Sequence, residues 1–397
     1  MNDPWRRTLL GATGTVIGLG IVAAASQAGS AQTPSANQQM AEAVFKNVQV
    51  LKGIPVDEFM DTMGMFASAT AKDCTGCHSG DIIARREAFA EATPEIQIAR
   101  AMVRMVNEIN AKNFGGEKKV TCYTCHAGSP IPNFVPNLAV QYGNPPPDNP
   151  NSIEFFAIEG ASADPIFDTY VQALGGAARL SKITSLVGTG TYAGWDTAFT
   201  PVPMELFARA PNQLTTIVRR EKGNNIRVFD GKNGWFAGVD APVPSMTLTL
   251  TGGNLFGEQI EAMVLLAPQA IRKAFNQWQV SEAAIDLVET PMLRGSGSVP
   301  KGLPVKVVQG TMAGQLPVNL YFDDSGLLAR LVRWNETVVG PVPTQIDYAD
   351  YRDVSGIKIP FQWTKTWTNN QMVMQLKEVR PNVAVDAARF ARPAPIQ

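Results

Sequence analysis

Both histidines of the chain stand immediately behind a Cys-x-x-Cys, and the two segments also consume all four cysteines. They read Cys74-Thr75-Gly76-Cys77-His78 and Cys122-Tyr123-Thr124-Cys125-His126. In this pattern two thiols can form thioethers with the vinyl groups of a porphyrin while the imidazole binds its iron, which is the attachment signature of c-type haem. A redox disulfide would need no following histidine. Zinc accepts thiolate and imidazole, but the 44 residues between Cys77 and Cys122 are a wider gap than zinc fingers use. Two covalently bound haem c groups are therefore expected. Cys74, Cys77, Cys122 and Cys125 would hold the macrocycles, and His78 and His126 would bind iron.

The N-terminus suits the compartment in which such groups are found. Arg6-Arg7 precedes Thr8–Ala25, an uncharged Gly/Ala-rich run, and small residues follow around Ala28–Ala31. That three-part pattern reads as a signal peptide over residues 1–31, the alternative being an uncleaved anchor. Export places the protein in the periplasm, soluble or peripheral to the membrane. With 397 residues, 45% of them hydrophobic, the chain can form two domains. Its net charge of −1 gives no sign of a nucleic-acid partner. A Pro/Asn-rich linker at 143–152 divides a domain at 32–142, which holds both motifs, from a domain at 153–397 without Cys or His.

The first domain reads as mainly helical. A helix is expected over Ala41–Leu51, a second from Val56 with Asp57 and Glu58 in its first turn, and a third from Thr93-Pro94-Glu95. Ile98, Met102, Met105 and Ile109 form an apolar stripe along the third. Helix followed by C-x-x-C-H occurs twice, which suggests an internal duplication. With both histidines used as first ligands, a sixth iron ligand has to be another residue type, and thioether sulfur is the natural donor. Six methionines fall between Met40 and Met105. Met63 and Met102 stand on the apolar faces of the helices before the motifs, with Met60, Met65 and Met105 as competitors, ordinary core packing as the other use of such residues, and an open or water-ligated iron as the remaining alternative.

The run Val44-Phe45-Lys46-Asn47-Val48-Gln49-Val50-Leu51-Lys52-Gly53-Ile54-Pro55, then Glu58-Phe59-x-x-x-Met63 and the first motif, resembles the cytochrome c subunit of photosynthetic reaction centres. So does Ala99-Arg100-x-Met102-x-x-Met105, Ile109-Asn110 and Val120 to His126. The resemblance covers about residues 44–130. It implies an axial methionine on the helix before each motif, matched here by Met63 and Met102. The family's subunit typically carries four haems and this chain has motifs for two, so docking to a photochemical centre does not carry over with the motif.

After residue 153 strands dominate. A helix over Ala161–Leu180, broken at Gly175-Gly176, precedes strands at Leu186–Tyr192, Pro203–Arg209, Gln213–Arg220, Ile226–Phe229, Val305–Gln309, Val318–Phe322, Leu327–Trp334, Gln345–Tyr351, Ile359–Trp367 and Met372–Val379. Helical interruptions are expected near Gly257–Leu265 and Pro268–Gln279. The fold class is α+β, with a curved antiparallel half-barrel sheet wrapped around helices in the second domain. The Ala173-Leu174-Gly175-Gly176 break, Phe229-Asp230-Gly231-x-x-Gly234-Trp235 and the Asp347–Pro360 segment make this half similar to LolA/LolB-type lipoprotein carriers. That resemblance implies an apolar cavity and a hydrophobic ligand.

The expected function is electron transfer between redox partners, a membrane-bound reaction centre or respiratory complex among them, rather than an enzyme reaction. No Ser-His-Asp or Cys-His set remains outside the motifs. A di-haem peroxidase, a lipid carrier with a redox-sensing haem module and a subunit of a haem-stacking polymer are the competing readings.

Overall fold

The computed structural model describes residues 38–136, 149–286 and 302–396. The signal segment and most of the 143–152 linker lie outside them. Thirteen strands form one antiparallel sheet among the described residues. They are β1 Ser185–Gly194, β2 Val202–Arg209, β3 Gln213–Arg220, β4 Gly223–Phe229, β5 Gly234–Ala237, β6 Leu248–Leu250, β7 Gln277–Ile285, β8 Leu303–Thr311, β9 Val318–Phe322, β10 Leu328–Asn335, β11 Val342–Val354, β12 Ile357–Trp367 and β13 Asn370–Pro381. Consecutive strands pair within β1–β6 and within β7–β13, where turn residues separate them. Asp230 Oδ1 accepts the Lys232 and Asn233 amides between β4 and β5, and Asp323 Oδ1 accepts those of Ser325 and Leu327 between β9 and β10.

The sheet order is β6-β5-β4-β3-β2-β1-β13-β12-β11-β10-β9-β8-β7. The chain enters at the middle, runs to one edge, crosses to the other and returns, so that β1 and β13 meet at a central seam. The crossing is made by a helix, Gly252–Leu266, whose Phe256, Ile260, Met263, Val264 and Leu266 are buried. Side chains from both ends of the sheet, including Met204, Phe229, Val308, Leu331, Ile346 and Leu376, join that helix in one hydrophobic cluster. The concave face therefore wraps the helix, as a half-barrel requires. A shorter helix, Asp164–Ala173, adds Phe167 and Tyr170 to the same core and stops at Gly175 and Gly176, whose φ values of 115° and 89° suit glycine.

Residues 38–136 form α-helices and 3-10 turns joined by loops, with no strand among them beyond an isolated bridge between Met40 and Pro55. In chain order the helices are α1 Ala41–Val44, α2 Val56–Thr70, α3 Pro94–Asn113 and α4 Cys122–His126; the two later helices are α5 Asp164–Ala173 and α7 Gly252–Leu266, with the one-turn α6 Ala177–Leu180 between them. Two expectations need correction. The helix expected over Ala41–Leu51 ends at Val44, because Asn47 takes a left-handed conformation (φ 60°) and the chain folds back to hydrogen-bond Ala41 N–H to Ile54. The expected helix Pro268–Gln279 is a 3-10 segment only to Lys273, since Gln277 onward pairs with β8 as the edge strand β7. Of the stripe on α3, Ile98, Met102 and Met105 are exposed and Ile109 is half-buried, while Arg100, Val103, Val106 and Asn110 are buried.

Candidate functional site: two matched Cys-x-x-Cys-His turns

Each motif folds as a single turn started by the side chain just before its first cysteine. Asp73 accepts the Gly76 amide (3.1 Å) and the Thr75 hydroxyl (2.6 Å), opening a 3-10 turn at Cys74–Gly76 that continues through a His78 N–H bond to the Cys74 carbonyl at 2.9 Å. Thr121 accepts the Thr124 amide at 3.2 Å and Thr124 returns the bond to the Thr121 amide at 3.0 Å, a capping box for α4. The two caps share one register, cap residue to second position after the first cysteine. The helix-then-motif repeat of the sequence thus has a common cap geometry.

The halves are tied crosswise. The Thr93 hydroxyl donates to the carbonyl of Cys77 at 2.5 Å and accepts the Ile96 amide at 3.2 Å, so the first motif is fastened to the start of α3. The Gly128 amide, just after the second motif, donates to Ala69 near the end of α2 at 2.9 Å. Asn110 of α3 brackets Val120 with both ends of its amide, Nδ2 to the carbonyl at 2.7 Å and Oδ1 from the N–H at 2.9 Å. This fixes the approach to α4. Asn110 and Thr93 carry the geometry without any chemistry of their own; their only sequence signals were a good N-cap and an asparagine in a helix interior.

The four thiols are free. Cys122 is buried, which pushes its thiol up to about 11, and burial also raises the Cys77 thiol. No cluster of three or more His, Cys, Asp or Glu suited to a metal ion occurs among the described residues. The His126 Nδ1 lies 3.0 Å from the Ser129 carbonyl, which can only accept, so Nδ1 donates to it and Nε2 is the ring nitrogen left for a ligand. Burial lowers the His78 pKa and favours the neutral ring, whose Nδ1 is buried without a hydrogen-bond partner and whose edge meets Phe89 at a centroid distance of 5.0 Å.

The methionines divide. Met65 is buried with Cys122, Val339 and Val342, and Met63 packs partly buried against that cluster. On α3, Ile98 (58% exposed), Met102 (39%) and Met105 (43%) leave an apolar stripe uncovered. Capped Cys-x-x-Cys-His turns together with an uncovered apolar stripe fit a haem, a large apolar disc needing one wall per face. Arg100 is buried behind the stripe, with Nη2 on the Asn47 carbonyl at 2.6 Å and Nη1 unpartnered.

The helical segment thus has the parts of a cytochrome c, joined to a half-barrel. Residues 19–151 match the family described as the photosynthetic reaction centre cytochrome C subunit. Similar proteins include the photosynthetic reaction center cytochrome c subunits of Thermochromatium tepidum, 34% identical over 99 residues (24% of this chain, 23% of that protein), and of Roseobacter denitrificans, 31% identical over 111 residues (26% and 29%). That of Rubrivivax gelatinosus is 30% identical over 106 residues, 26% of each chain. The chain spans about a quarter of the length of these curated relatives. The resemblance read from the motifs holds for this segment. Solved structures similar to the remainder include a putative outer membrane lipoprotein-sorting protein domain from Vibrio parahaemolyticus (TM-score 0.36, 8% identity, 58% of this chain and 97% of that one). A LolA superfamily protein from Nitrosomonas europaea is also similar (TM-score 0.35, 11% identity, 58% and 98%). No helix among the described residues is long and apolar enough to cross a membrane.

The half-barrel encloses a cavity of about 240 Å³. Trp363, Met374 and Leu206 line it together with two ion pairs, Arg227 with Glu258 at 2.9 Å and Lys365 with Glu261 at 2.7 Å.

Proposed function

We propose that this protein is an exported, periplasmic di-haem c-type cytochrome that carries electrons between redox partners and is not an enzyme. The observation that carries the reading is the presence of two Cys-x-x-Cys-His turns capped in the same register together with the uncovered apolar stripe of α3. Haem, when bound, supplies a one-electron iron couple. Cys74 and Cys77 would hold the first group and Cys122 and Cys125 the second. His78 and His126 would bind the irons, and burial favours the neutral, ligating form of the His78 ring.

Met63 is the sixth ligand proposed for the first iron, and methionine ligation raises the potential. For the second iron the α3 stripe offers Met102, the residue chosen on sequence, and Met105. Met63 stands seven residues before the end of α2; Met105 stands eight before the end of α3 and Met102 eleven. That register supports Met105 as the alternative donor. The domain limits 32–142 and 153–397, the signal peptide at 1–31, and a reaction centre or respiratory complex as partner belong to the same proposal. A hydrophobic ligand in the half-barrel is supported less well, since the ion pairs on the cavity wall would be further desolvated by an apolar chain.

The test is absorption spectroscopy of the exported protein. Two haems per chain and a methionine–iron band are expected, with Met63→Leu removing about half of the band and either Met102→Leu or Met105→Leu removing the other half. One haem per chain, or a band unchanged in all three variants, would refute the assignment.

A further inference from the structure

The two sites differ in what lies behind their helices. Two carboxylates of α2 point into the half-barrel. Asp57 is 8% exposed, and its carboxylate accepts the Thr251 N–H at 2.6 Å and the Thr251 hydroxyl at 2.8 Å. Thr251 is the residue that starts α7. One turn on, Asp61 Oδ2 accepts the side-chain amides of Asn254 (2.8 Å) and Asn335 (2.9 Å). No lysine or arginine forms an ion pair with either carboxylate among the described residues. A further turn on is Gly64, where an added Cβ would overlap the Thr368 hydroxyl in the β12–β13 turn. Three successive turns of α2 are thus fastened to the sheet, ending one residue past Met63.

We propose that Asp57 is a positioning residue for the first haem, locking α2 onto the N-terminus of α7 through Thr251 so that the half-barrel fixes the reach of Met63 to iron. The inference rests on the assignment of Met63 as an axial ligand. Asp57 touches no cofactor itself. Its two oxygens take both donors of one threonine, one of them a helix-terminal N–H that the positive end of the α7 dipole favours pairing with an acid. The β unit then serves as the outer wall of a redox site, whereas the second motif meets that unit at its own turn, through Lys118 on Glu336 (2.6 Å) and Thr121 against Gly340, and not through carboxylates of α3.

The experiment uses the full-length, haem-loaded protein. Thr251→Val keeps the backbone N–H and the shape but removes the hydroxyl donor; Thr251→Ser restores it. Thr251→Val should lower the midpoint potential of one haem and weaken its share of the methionine–iron band, leave the other haem unchanged, and speed hydrogen exchange of α2 amides about tenfold for the lost bond. Thr251→Ser should return all three to the parent values. Met63→Leu identifies which haem is which. If Met63→Leu alters the first haem while Thr251→Val and Asp57→Asn leave its potential and the α2 exchange unchanged, the positioning role is wrong. If Met63→Leu alters neither haem, both fall, and the ligand assignment is marked as the failed step. Equal shifts in both haems would also overturn it, since they would signal general loosening.

Discussion

The helices that precede the two motifs began as equivalents in sequence and fold into opposite settings. α2 is buried along one side by the half-barrel, with Thr62, Gly64, Met65 and Ala69 inside, whereas α3 commits only Arg100, Val103, Val106 and Asn110 and leaves its methionine stripe in solvent. The two motifs therefore share a sequence pattern but not a setting: the half-barrel grips α2 itself through Asp57 and Asp61, and meets the second motif at Lys118 and Thr121. A pair of sites with different surroundings can hold different potentials, and electrons flow only where potentials differ.

The comparison breaks most severely at the cysteines. Cys122→Ser should halve haem content by alkaline pyridine spectroscopy and also disturb the apo fold, because Cys122 is packed in the α2 cluster; Cys74→Ser should halve haem content with little change in apo stability, its side chain being exposed. Next in size, Met65→Ala should lower the unfolding free energy by about 2–5 kcal/mol in urea titrations, as buried methionine truncations do. Met105→Ala on the open stripe should stay within roughly 0.5 kcal/mol in the haem-free protein. Equal losses at the two positions would erase the asymmetry.

Smaller again is Asn110→Ala, expected to lose about 1–3 kcal/mol by stranding the Val120 N–H and carbonyl. The smallest effect is one of pH. Burial lifts the Glu58 carboxyl on α2 to about 7. The folded chain then holds a proton that the unfolded chain has released, so folding is favoured most below the ordinary carboxylate range and loses stability as pH rises toward 7. The loss should be on the order of 1 kcal/mol once solvent screening of this partly exposed group is counted. Glu58→Gln should flatten the decline between pH 5 and pH 8; an unchanged slope would remove Glu58 as its cause.

Much of this was legible in the chain. Turn residues such as Asp230-Gly231 and Asp323 through Gly326 marked hairpins because their side chains or φ values close the turn locally, and the α3 cap at Thr93-Pro94 was equally local. The misreadings came from information that is not local. Gln277–Ile285 carries helix-compatible residues but is recruited as an edge by β8, and Ala41–Leu51 is cut short by a single left-handed asparagine. The stripe of α3 announced its spacing without announcing which way it would face. Nothing near Asp57 in sequence hinted at Thr251, 194 positions away.

The central seam of the sheet pairs Leu186 with Pro381, so the half-barrel cannot close until nearly all of the chain is available. Thr251, Asn254, Asn335 and Thr368, which grip α2, all belong to that late-arriving part. Folding rates fall as contacting residues become more distant in sequence. In kinetic terms the motif-bearing segment emerges first and waits, its cysteines open to covalent chemistry, before the wall behind α2 is raised.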